Sequence, residues 1–509
     1  MVSVRMTGMD ALFTADEILS ATGGRLMRGH PSQVVSGISI DSRTIKAGEL
    51  FIALKGERFD GHQFIYEALG RGACGVLVNV SSHRIPKTAE EESLLRDKIL
   101  IGVTDTLAAL QGLSRSHRRR WALPVVAVTG SNGKTTTKEM AAGILAGRYV
   151  TLKNEGNINN QIGVPLTLLR LTPGHQAAVL EMGISRPGEL RRLCEIALPQ
   201  VGLITNIGPA HLETLGSLDA VAAAKAELLE ALSPSEGVAI LNRDDSFFPY
   251  LRSRAPGRVV TFGLNPEADI LIEDLREDGS RVVMTLSGRP SVFGIARSRE
   301  KSRRASGGGE AADKPPTQSD RARVQIHLPV IGRYNALNAA AAAAVGWVLG
   351  CELEEARRGL EDFRPVAMRS ELIPWEGRTI LNDAYNANPA SMLAALEALS
   401  RFPARGRRIA VLGDMLELGE DAAEAHRRIG RAVVSSGVGF LIAMGGRAAE
   451  IADGARVSGM SRDHVAVCRE PSEAAQILSR TAVNGDVILI KGSRGMRMER
   501  ILDHLSIKR

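Results

Sequence analysis

The segment Val126–Met140, VAVTGSNGKTTTKEM, constrains the fold of this 509-residue chain more than any other stretch. It begins with apolar residues typical of a buried strand, and a glycine-rich turn follows at once. After the turn come Lys134 and three threonines, and the pattern becomes that of a helix. A buried strand that turns directly into a helix is typical of an open α/β sheet with parallel strands. The segment therefore predicts such a sheet.

The turn has the composition of a phosphate-binding loop. Gly130 and Gly133 allow backbone N–H groups to converge on phosphate oxygens, and the positive end of the following helix points to the same place. Lys134 can reach the terminal phosphates of a nucleotide, and the hydroxyl of Thr135 is placed to bind Mg²⁺. A turn without a ligand has no need of glycine, lysine and threonine in this order. The other loop residues assigned to the nucleotide site are Ser131, Asn132 and Thr136.

The length of the chain and the pattern of its predicted strands and helices divide it into three parts. A chain of 509 residues is too long for one hydrophobic core, so about three domains are expected. Residues 1–122 mix short strands with glycine-containing turns, which predicts a small α/β domain. Residues 123–363 alternate apolar strands with helical segments, which predicts a mostly parallel sheet covered by helices. Residues 364–509 repeat the alternation and predict a Rossmann-like unit.

One stretch of the second part breaks this alternation. From Arg297 to Arg323 the chain is charged, contains glycine and proline, and is nearly free of apolar side chains. Such a segment cannot bury enough apolar surface to offset the entropy of ordering its backbone. We therefore expect a disordered insert at about 297–323, with a basic tail as the alternative reading.

Net charge and composition limit the kinds of ligand that the protein is expected to bind. The net charge of +7 suits a polyanionic ligand but equally an arginine-rich solvated surface. Basic clusters lie at Ser114–Arg120 and Arg297–Arg304. Neither cluster contains interleaved aromatic residues, so no nucleic-acid partner is expected.

The cysteines and the first residues of the chain indicate where in the cell the protein is expected. The four cysteines are far apart and form no C-x-x-C pair, which indicates free thiols in a reducing environment. Met1–Leu19 lacks the continuous apolar core of a signal peptide, and no apolar run is long enough to span a bilayer. We therefore expect a cytoplasmic protein without membrane insertion.

Three further polar residues follow successive strands of the second part. Glu181 ends the strand AAVLE, His211 lies in the loop after VGLITN, and Lys225 lies in the helical segment DAVAAAKAELLEAL. Singly, each has a structural explanation: a solvated carboxylate, a hydrogen-bonding histidine and a surface ammonium. Ligands gather at the carboxyl ends of parallel strands, however, so their order along the chain favours one shared site.

This order and the loop spacing T-G-x-N-G-K-T-T resemble the Mur ligase family and its folylpolyglutamate synthase relatives. The resemblance implies that Thr135 and Glu181 hold one Mg²⁺, and that Glu181 and His211 help to hold a second. It also implies that Lys225 reacts with CO₂ to form a carbamate, a bridging carboxylate in place of an ammonium. Mg²⁺ prefers oxygen ligands, which suits Glu181 better than His211. The expected catalytic residues are Lys134, Glu181, His211 and Lys225.

Two later motifs complete the nucleotide site by resemblance. The segment GRYNALN contains Asn335 and Asn338, which match the family's adenine-contacting residues, although helix capping also explains Asn335. In the third part, Arg369 matches an arginine that reaches the nucleotide phosphates, and Asp383 matches a residue near the ribose. ATP would then bridge two domains, and their closure would exclude water from a hydrolysable acyl phosphate.

Several stretches resemble the family member that adds D-alanyl-D-alanine to UDP-N-acetylmuramoyl-tripeptide. They are NEGNINNQIGVPLTLL, LEMGISRPGEL, DAYNANPASM and VLGDMLELG. The relative that adds diaminopimelate carries D-N-P-R where this chain has ANPAS, and folylpolyglutamate synthases lack the first domain. The resemblance implies an ATP-dependent ligase that forms an acyl phosphate and then joins the amine. We expect a monomer, although no sequence feature fixes the oligomeric state. Diaminopimelate and lysine both remain open as the third peptide residue.

The same resemblance assigns residues to the substrates. Ile40–Phe64 resembles the family's nucleotide-sugar domain, so Ser42 and Arg43 are assigned to the UDP end. Candidates for the rest of the substrate are Asn157 and Asn160, for the muramoyl portion, and Asn388.

Two other classes of protein remain open. A P-loop motor or switch would hydrolyse nucleotide without the ligase substrates, or on stimulation by a polynucleotide. A ligase should hydrolyse little ATP until tripeptide and amine are both present. A non-catalytic nucleotide-binding regulator is disfavoured because it would not need the five residues Lys134, Thr135, Glu181, His211 and Lys225 together.

Overall fold

The computed structural model describes residues 11–56, 59–82, 88–156, 158–288 and 321–507. Within these limits the chain forms two compact units. The first comprises Met1–Leu123, Ile158–His175 and Arg192–Leu198, and the second comprises Pro124–Asn157, Gln176–Arg191 and Pro199–Arg509.

The first unit contains a mostly parallel sheet. Its strands are β1 (Phe13–Thr14), β2 (Arg25–Arg28), β3 (Val34–Val35), β4 (Gly37–Ser39), β5 (Glu49–Ile52), β6 (Gly75–Asn79) and β7 (Ile99–Val103). Five of them form the sheet in the order β2-β7-β6-β5-β4, in which only β2 is antiparallel to its neighbour, and β1 pairs separately with β3. The helices are Ala15–Thr22, Ile65–Gly70, Ala89–Leu94, Thr106–Arg119 and Gly163–Leu168. This is the small α/β domain that the sequence predicts.

The second unit begins with a nine-stranded sheet. Its strands are β8 (Val125–Thr129), β9 (Thr151–Lys153), β10 (Ala177–Glu181), β11 (Val201–Ile204), β12 (Val238–Asn242), β13 (Arg258–Gly263), β14 (Ile270–Asp278), β15 (Arg281–Gly288) and β16 (Ala322–Leu328). The order is β16-β15-β14-β13-β12-β11-β8-β10-β9, and the pairs from β14 to β9 are parallel. The order reverses on the two sides of β8, so the loop after β8 lies at a topological switch point, where ligands bind in α/β sheets.

Helices connect and cover this sheet. They are Lys134–Ala146, Glu189–Ala197 (which runs into the first unit), Leu212–Leu215, Leu218–Glu230, Phe248–Arg254, Tyr334–Val348 and Leu353–Glu361. The helix Tyr334–Val348 carries six successive alanines, all fully buried. Such small side chains allow it to pack closely, and its core cluster includes the phosphate-loop helix Lys134–Ala146. The start of the alanine-rich helix is thereby placed against the phosphate loop.

The end of the predicted insert is ordered, which corrects the sequence-based expectation. Ala322 and Arg323 belong to β16 and pair with Gly288 and Ser287 of β15. The Nε of Arg323 also lies 3.3 Å from a carboxylate oxygen of Glu273. Composition alone misses this strand because its backbone bonds depend on a partner strand rather than on apolar side chains. The remainder, up to residue 320, lies outside the described residues.

The third part of the chain forms a six-stranded sheet. Its strands are β17 (Glu371–Trp375), β18 (Arg378–Asn382), β19 (Arg408–Gly413), β20 (Phe440–Met444), β21 (Val465–Cys468) and β22 (Val487–Lys491). The order is β17-β18-β22-β19-β20-β21, parallel throughout except for β17. The helices are Pro389–Arg401, Ala422–Ser435, Ala448–Val457, Pro471–Thr481 and Arg500–His504. The Rossmann-like prediction is confirmed.

No disulfide joins the four cysteines, all of which lie in the described part of the chain. Burial raises the pKa of the Cys74, Cys351 and Cys468 thiols to about 11, so they are protonated at neutral pH. In the described part of the chain, no helix combines the length and the apolar character needed to cross a bilayer.

Candidate active site

Two glycines shape the loop between β8 and the helix Lys134–Ala146. Gly130 has φ +143° and Gly133 has φ +81°, backbone conformations that favour glycine. A Cβ atom at Gly130 would overlap the hydroxyl of Thr205, and one at Gly133 would overlap the side-chain oxygen of Asn338. The loop therefore needs glycine at both positions because its backbone approaches its neighbours closely.

The segment after β11 holds the loop in place. The N–H of Ser131 donates to the carbonyl of Asn206 (2.9 Å), and the N–H of Asn132 donates to the Asn206 side chain (3.0 Å). The Thr205 hydroxyl donates to the carbonyl of Asn132 (2.5 Å). Residues 205 and 206 thus fix the conformation of the phosphate loop from the β11 side.

Lys134 folds back over the loop. Its Nζ donates to the carbonyls of Gly130 (2.8 Å) and Ser131 (3.2 Å). Burial lowers the pKa of Lys134, while the nearby charge of Glu181 opposes this shift. Thr136 is half-buried in the first turn of the same helix. The ammonium group is therefore in the loop at the place where terminal phosphates would be bound.

Thr135 and Glu181 meet as the sequence predicts. The Thr135 hydroxyl donates to a carboxylate oxygen of Glu181 at 2.6 Å, and each residue is 2% exposed. Glu181 ends β10, whose register places it opposite Val128 of β8. Two oxygen groups suited to Mg²⁺ therefore lie together at the carboxyl ends of adjacent strands.

Lys225 is buried rather than on the surface. It lies in the helix Leu218–Glu230 and is only 2% exposed. Burial, helped by the positive charge of Lys134, lowers the pKa of Lys225 well below its ordinary value. The surface-ammonium alternative is thus wrong, and Lys225 is close enough to Lys134 for their charges to interact.

His211 contacts the third part of the chain. It has φ +55° at the start of the helix Leu212–Leu215, and its Nδ1 lies 2.6 Å from the carboxylate of Glu417. This hydrogen bond lowers the pKa of Glu417. Among the described residues, no group of three or more His, Cys, Asp and Glu side chains is arranged to hold a metal ion. Glu181 and His211 are therefore not part of a metal cage made by such side chains.

The two asparagines assigned to adenine bond to one another. Asn335 donates to the carbonyl of Ile331 (2.8 Å), and Asn338 donates to the side-chain oxygen of Asn335 (2.9 Å). The Thr137 hydroxyl lies 3.3 Å from the side-chain oxygen of Asn338. The structure therefore brings Asn338 against the phosphate loop and the first turn of its helix.

Residues of the third part approach the same loop. The guanidinium of Arg369 lies 3.9 Å from the ring centroid of Tyr385, and its charge acts on Lys134. Asp383 accepts a hydrogen bond from the N–H of Ser370 (3.0 Å) and an ion pair from Lys491 (2.5 Å). Arg369 is thus close enough to Lys134 for their charges to interact, although the two residues are far apart in sequence.

Asn388 also contacts the phosphate loop, although the sequence assigned it to the substrate. Its side-chain nitrogen donates to the side-chain oxygen of Asn132 at 2.8 Å. Its own side-chain oxygen accepts from the N–H of Ser391 and caps the helix Pro389–Arg401. The capping geometry aims Asn388 at the loop.

The candidate sugar-nucleotide residues lie in the first unit. Ser42 is buried and its hydroxyl donates to Glu67 (3.2 Å), whereas Arg43 is exposed and forms an ion pair with Asp41 (2.7 Å). Hydrogen bonds from Arg43 lower the pKa of Asp41 to about 2. The side-chain oxygen of Asn160 accepts from the N–H groups of residues 162 and 163. Asn157 lies outside the described residues.

Sequence reasoning missed several residues of this site. Tyr385, Lys491 and Glu417 contact Arg369, Asp383 and His211, respectively. Tyr385 and Glu417 lie within DAYNANPASM and VLGDMLELG, motifs that were noted without assigning these residues. Lys491 ends β22. A polar residue that ends an apolar strand is the sequence feature that could have identified it as a site residue.

Each of the three parts of the chain matches a known protein domain. The Mur ligase family catalytic domain matches residues 34–118, the Mur ligase middle domain matches 128–346, and the Mur ligase glutamate ligase domain matches 368–494. A Bacillus subtilis protein named UDP-N-acetylmuramoyl-tripeptide--D-alanyl-D-alanine ligase is 35% identical over 93% of both chains. This chain belongs to the Mur ligase family. As in that family, it has three domains and is an ATP-dependent ligase.

Solved Mur ligase structures share the fold over nearly the whole chain. A MurF structure from Acinetobacter baumannii has a TM-score of 0.82 and 30% identity, covering 98% of this chain and 99% of its own. A MurF ligase from Thermotoga maritima, solved with ADP, has a TM-score of 0.74 and 28% identity, covering 92% and 96%. The ADP complex agrees with a nucleotide site in this Mur ligase.

Proposed function

We propose that this chain joins D-alanyl-D-alanine to UDP-N-acetylmuramoyl-tripeptide and converts ATP to ADP and phosphate, in the synthesis of peptidoglycan precursors. The observation that carries the proposal is the buried set of Thr135, Glu181 and Lys225 beside a complete phosphate loop. This set occurs in a chain that resembles ligases of that name along nearly its whole length. We also propose a cytoplasmic location, because the substrates are soluble nucleotide derivatives.

The phosphate loop binds and orients ATP in this proposal. Backbone N–H groups of the loop and the start of its helix bind the phosphates, and Lys134 leaves its two carbonyl partners to bind the terminal phosphates. Asn335 and Asn338 lie toward the adenine, and Arg369 and Asp383 complete the site from the third domain. The cations around the γ-phosphoryl group reduce its repulsion of the attacking carboxylate.

The site fits Mg²⁺ through Thr135 and Glu181, with His211 as a further candidate. Mg²⁺ is usually held by one or two carboxylates together with substrate phosphates rather than by a protein cage. This agrees with a hydroxyl and a carboxylate 2.6 Å apart and with the absence of a larger ligand cluster among the described residues. Bound Mg²⁺ would neutralise phosphate charge and polarise the γ-phosphoryl group.

The carboxylate of the tripeptide attacks the γ-phosphorus atom of ATP, the bond to the β–γ bridging oxygen breaks, and ADP leaves. The amine of D-alanyl-D-alanine then attacks the carbonyl carbon of the acyl phosphate. Phosphate leaves and the amine loses a proton, which yields the amide. No side chain becomes covalently attached to substrate, so no nucleophilic residue is required.

We assign a carbamate to Lys225. Its burial and lowered pKa support the assignment, because only a neutral amine attacks the carbon atom of CO₂. The nitrogen–carbon bond forms, one C–O π bond of CO₂ breaks, and the nitrogen releases a proton to water, so that a neutral amine becomes an anionic carbamate. An anion beside Lys134 and bound cations is favourable, whereas a second ammonium there would be repelled.

Substrate contacts outside the nucleotide site are assigned as follows. The UDP end lies at Ser42 and Arg43 in a domain of residues 1–122, where the exposed guanidinium of Arg43 is accessible to a pyrophosphate. The remaining domains are residues 123–363 and 364–509. The muramoyl portion lies at Asn157 and Asn160, and Asn388 acts from the third domain.

ADP release tests the proposal. It should be slow with ATP alone and rise strongly only when UDP-N-acetylmuramoyl-tripeptide and D-alanyl-D-alanine are both present. The lysine and diaminopimelate forms of the tripeptide should be compared. ADP release that is independent of both substrates, or stimulated by a polynucleotide, would favour a P-loop motor or switch instead.

A further inference from the structure

An edge strand of the nucleotide-binding sheet ends beside Glu181. Strand β9 pairs with β10 in three register pairs, and the last pair joins Lys153 to Val179. Beyond it, β10 continues to Glu181, and no described strand pairs with it on this side. Glu181 therefore lies where its backbone groups need other hydrogen-bond partners, since buried N–H and C=O groups are costly when unpaired.

The side chain of Asn154 supplies those partners. Its Oδ1 accepts from the N–H of Glu181 (2.9 Å), and its Nδ2 donates to the carbonyl of Glu181 (3.1 Å). Asn154 is fully buried. An asparagine amide offers an N–H donor and a carbonyl acceptor at the spacing of a peptide group, so it continues the ladder after the β9 backbone has left the sheet.

Lys138 holds the backbone that leaves the sheet. It lies in the phosphate-loop helix, is fully buried, and donates to the carbonyls of Asn154 (2.6 Å) and Gly156 (3.3 Å). Its third contact is the carboxylate of Glu139 at 2.9 Å. Three acceptors thus satisfy an ammonium that would be costly to bury alone.

These contacts form one connected unit. Lys138 lies one helical turn after Lys134, and Asn154 bonds to the residue whose carboxylate accepts from Thr135. The segment that Lys138 holds leads directly to Asn157 and Asn160, the proposed muramoyl contacts. Five hydrogen bonds therefore join the phosphate-loop helix, Glu181 and the start of the substrate segment.

We propose that Asn154 and Lys138 are positioning residues of the ligase reaction, which rests on the function proposed above. Asn154 sets the position of the Glu181 carboxylate relative to Thr135. Lys138 sets the path of residues 154–156 and so the presentation of the muramoyl-binding segment. Neither side chain needs to touch ATP or the tripeptide, because each acts through backbone that it holds.

The two residues have different expected effects. Asn154→Ala should raise the Mg²⁺ concentration for half-maximal rate about tenfold, as loss of a group that orients a metal ligand commonly does. Lys138→Met should raise the KM for UDP-N-acetylmuramoyl-tripeptide about tenfold with little change in the Mg²⁺ requirement, because Glu181 keeps its partners. Glu139 retains Lys153 as an ion-pair partner in that variant.

A matched control lies at the other end of the same strand pair. The side chain of Gln176 accepts from the N–H of Val150 at 3.0 Å, so it is also an amide bonded to strand backbone, but before β10 begins. Gln176→Ala should leave the Mg²⁺ requirement and the tripeptide KM unchanged. Melting curves of all three variants will identify any that do not fold.

Two binding measurements complement the kinetics. Titration of Mn²⁺ into each protein with ADP, followed by the electron paramagnetic resonance of free Mn²⁺, should show weaker binding only for Asn154→Ala. Calorimetric titration of UDP-N-acetylmuramoyl-tripeptide should show weaker binding for Lys138→Met. If either variant fails to fold, Asn154→Asp and Lys138→Arg replace them: Asp keeps the acceptor for Glu181 and loses the donor, and Arg keeps the cation.

The outcomes separate this inference from the function on which it rests. Wild-type protein that releases no ADP with both substrates would contradict the proposed ligase. Active wild type with folded Asn154 and Lys138 variants whose Mg²⁺ requirement, Mn²⁺ binding and tripeptide KM match those of Gln176→Ala would overturn the positioning roles. Equal losses of kcat in both variants without either specific shift would also overturn them.

Discussion

Burial changes the protonation state that we expect for the side chain of Lys225. In an alanine-rich helix a lysine is usually a surface charge, yet Lys225 is 2% exposed and close enough to Lys134 for their charges to interact. Removing an ammonium from water favours its neutral form, so the pKa of Lys225 falls. The neutral amine is the form that the proposed carbamate requires, because an ammonium group has no lone pair with which to attack CO₂.

Lys225→Ala should therefore lose nearly all ligase activity while keeping the fold. Wild-type activity should fall in rigorously CO₂-depleted buffer and return on addition of bicarbonate, if the carbamate exchanges during the assay. A carbon-13 signal from labelled bicarbonate would identify the modified side chain. An ordered and unmodified Lys225 beside bound ATP and Mg²⁺ would contradict the carbamate.

Lys134 illustrates a side chain held by its own loop. Lys134→Ala should lower turnover by about 10²- to 10³-fold or more, because it removes a cation aimed at developing phosphate charge. The melting temperature should change little, since only two contacts to loop carbonyls are lost. Lys153→Ala is the control, a lysine on β9 whose ion pair is with Glu139. Near-normal ADP release by folded Lys134→Ala would refute the phosphate role.

At the scale of elements, strand pairing and composition place the end of the insert before β16 at different residues. The sequence from Arg297 onward has too few apolar residues to join a core, whereas Ala322 and Arg323 are ordered because β15 supplies backbone partners. The physical boundary of the insert is therefore set by hydrogen bonding to a neighbouring strand.

Deleting residues 297–320 should leave the melting temperature and the steady-state rates nearly unchanged, because composition gives that segment no core to join. A longer deletion, through Arg323, should lower the melting temperature since it removes two register pairs with β15. Melting curves and ADP-release rates of the two deletions distinguish these cases. A large loss from the shorter deletion would show that the insert packs or binds.

At the scale of the whole molecule, the nucleotide site joins residues that are distant in sequence. Asn388 contacts Asn132, and the Tyr334 hydroxyl lies 2.6 Å from the hydroxyl of Ser370, next to Arg369. The charge of Arg369 acts on Lys134. The last part of the chain therefore contacts the phosphate loop of the second part.

Arg369→Ala should raise the KM for ATP about tenfold or more, the effect of losing one charge-assisted contact. Binding of UDP-N-acetylmuramoyl-tripeptide should be unchanged, because the proposed UDP contacts lie in the first domain. Calorimetric titration of that substrate is the measurement. A comparable loss of its affinity would place Arg369 elsewhere, and Arg364→Ala, an exposed arginine five residues earlier, is the control.

The sequence alone determined the strand–loop–helix unit at Val126–Met140 and the repeated α/β alternation. These features depend on short-range patterns, namely apolar periodicity and glycine where the backbone turns. The succession of Lys134, Glu181, His211 and Lys225 was likewise readable, because parallel strands bring their carboxyl ends to one edge.

Tertiary structure alone decided what those residues contact. It buried Lys225, paired His211 with Glu417, brought Asn388 to Asn132 and placed the Asn154 amide on the backbone of Glu181. Each result depends on segments that are distant along the chain or on the exact point where a strand leaves its sheet. Short-range sequence patterns do not predict such partners, because burial and long-range hydrogen bonds are properties of the packed chain.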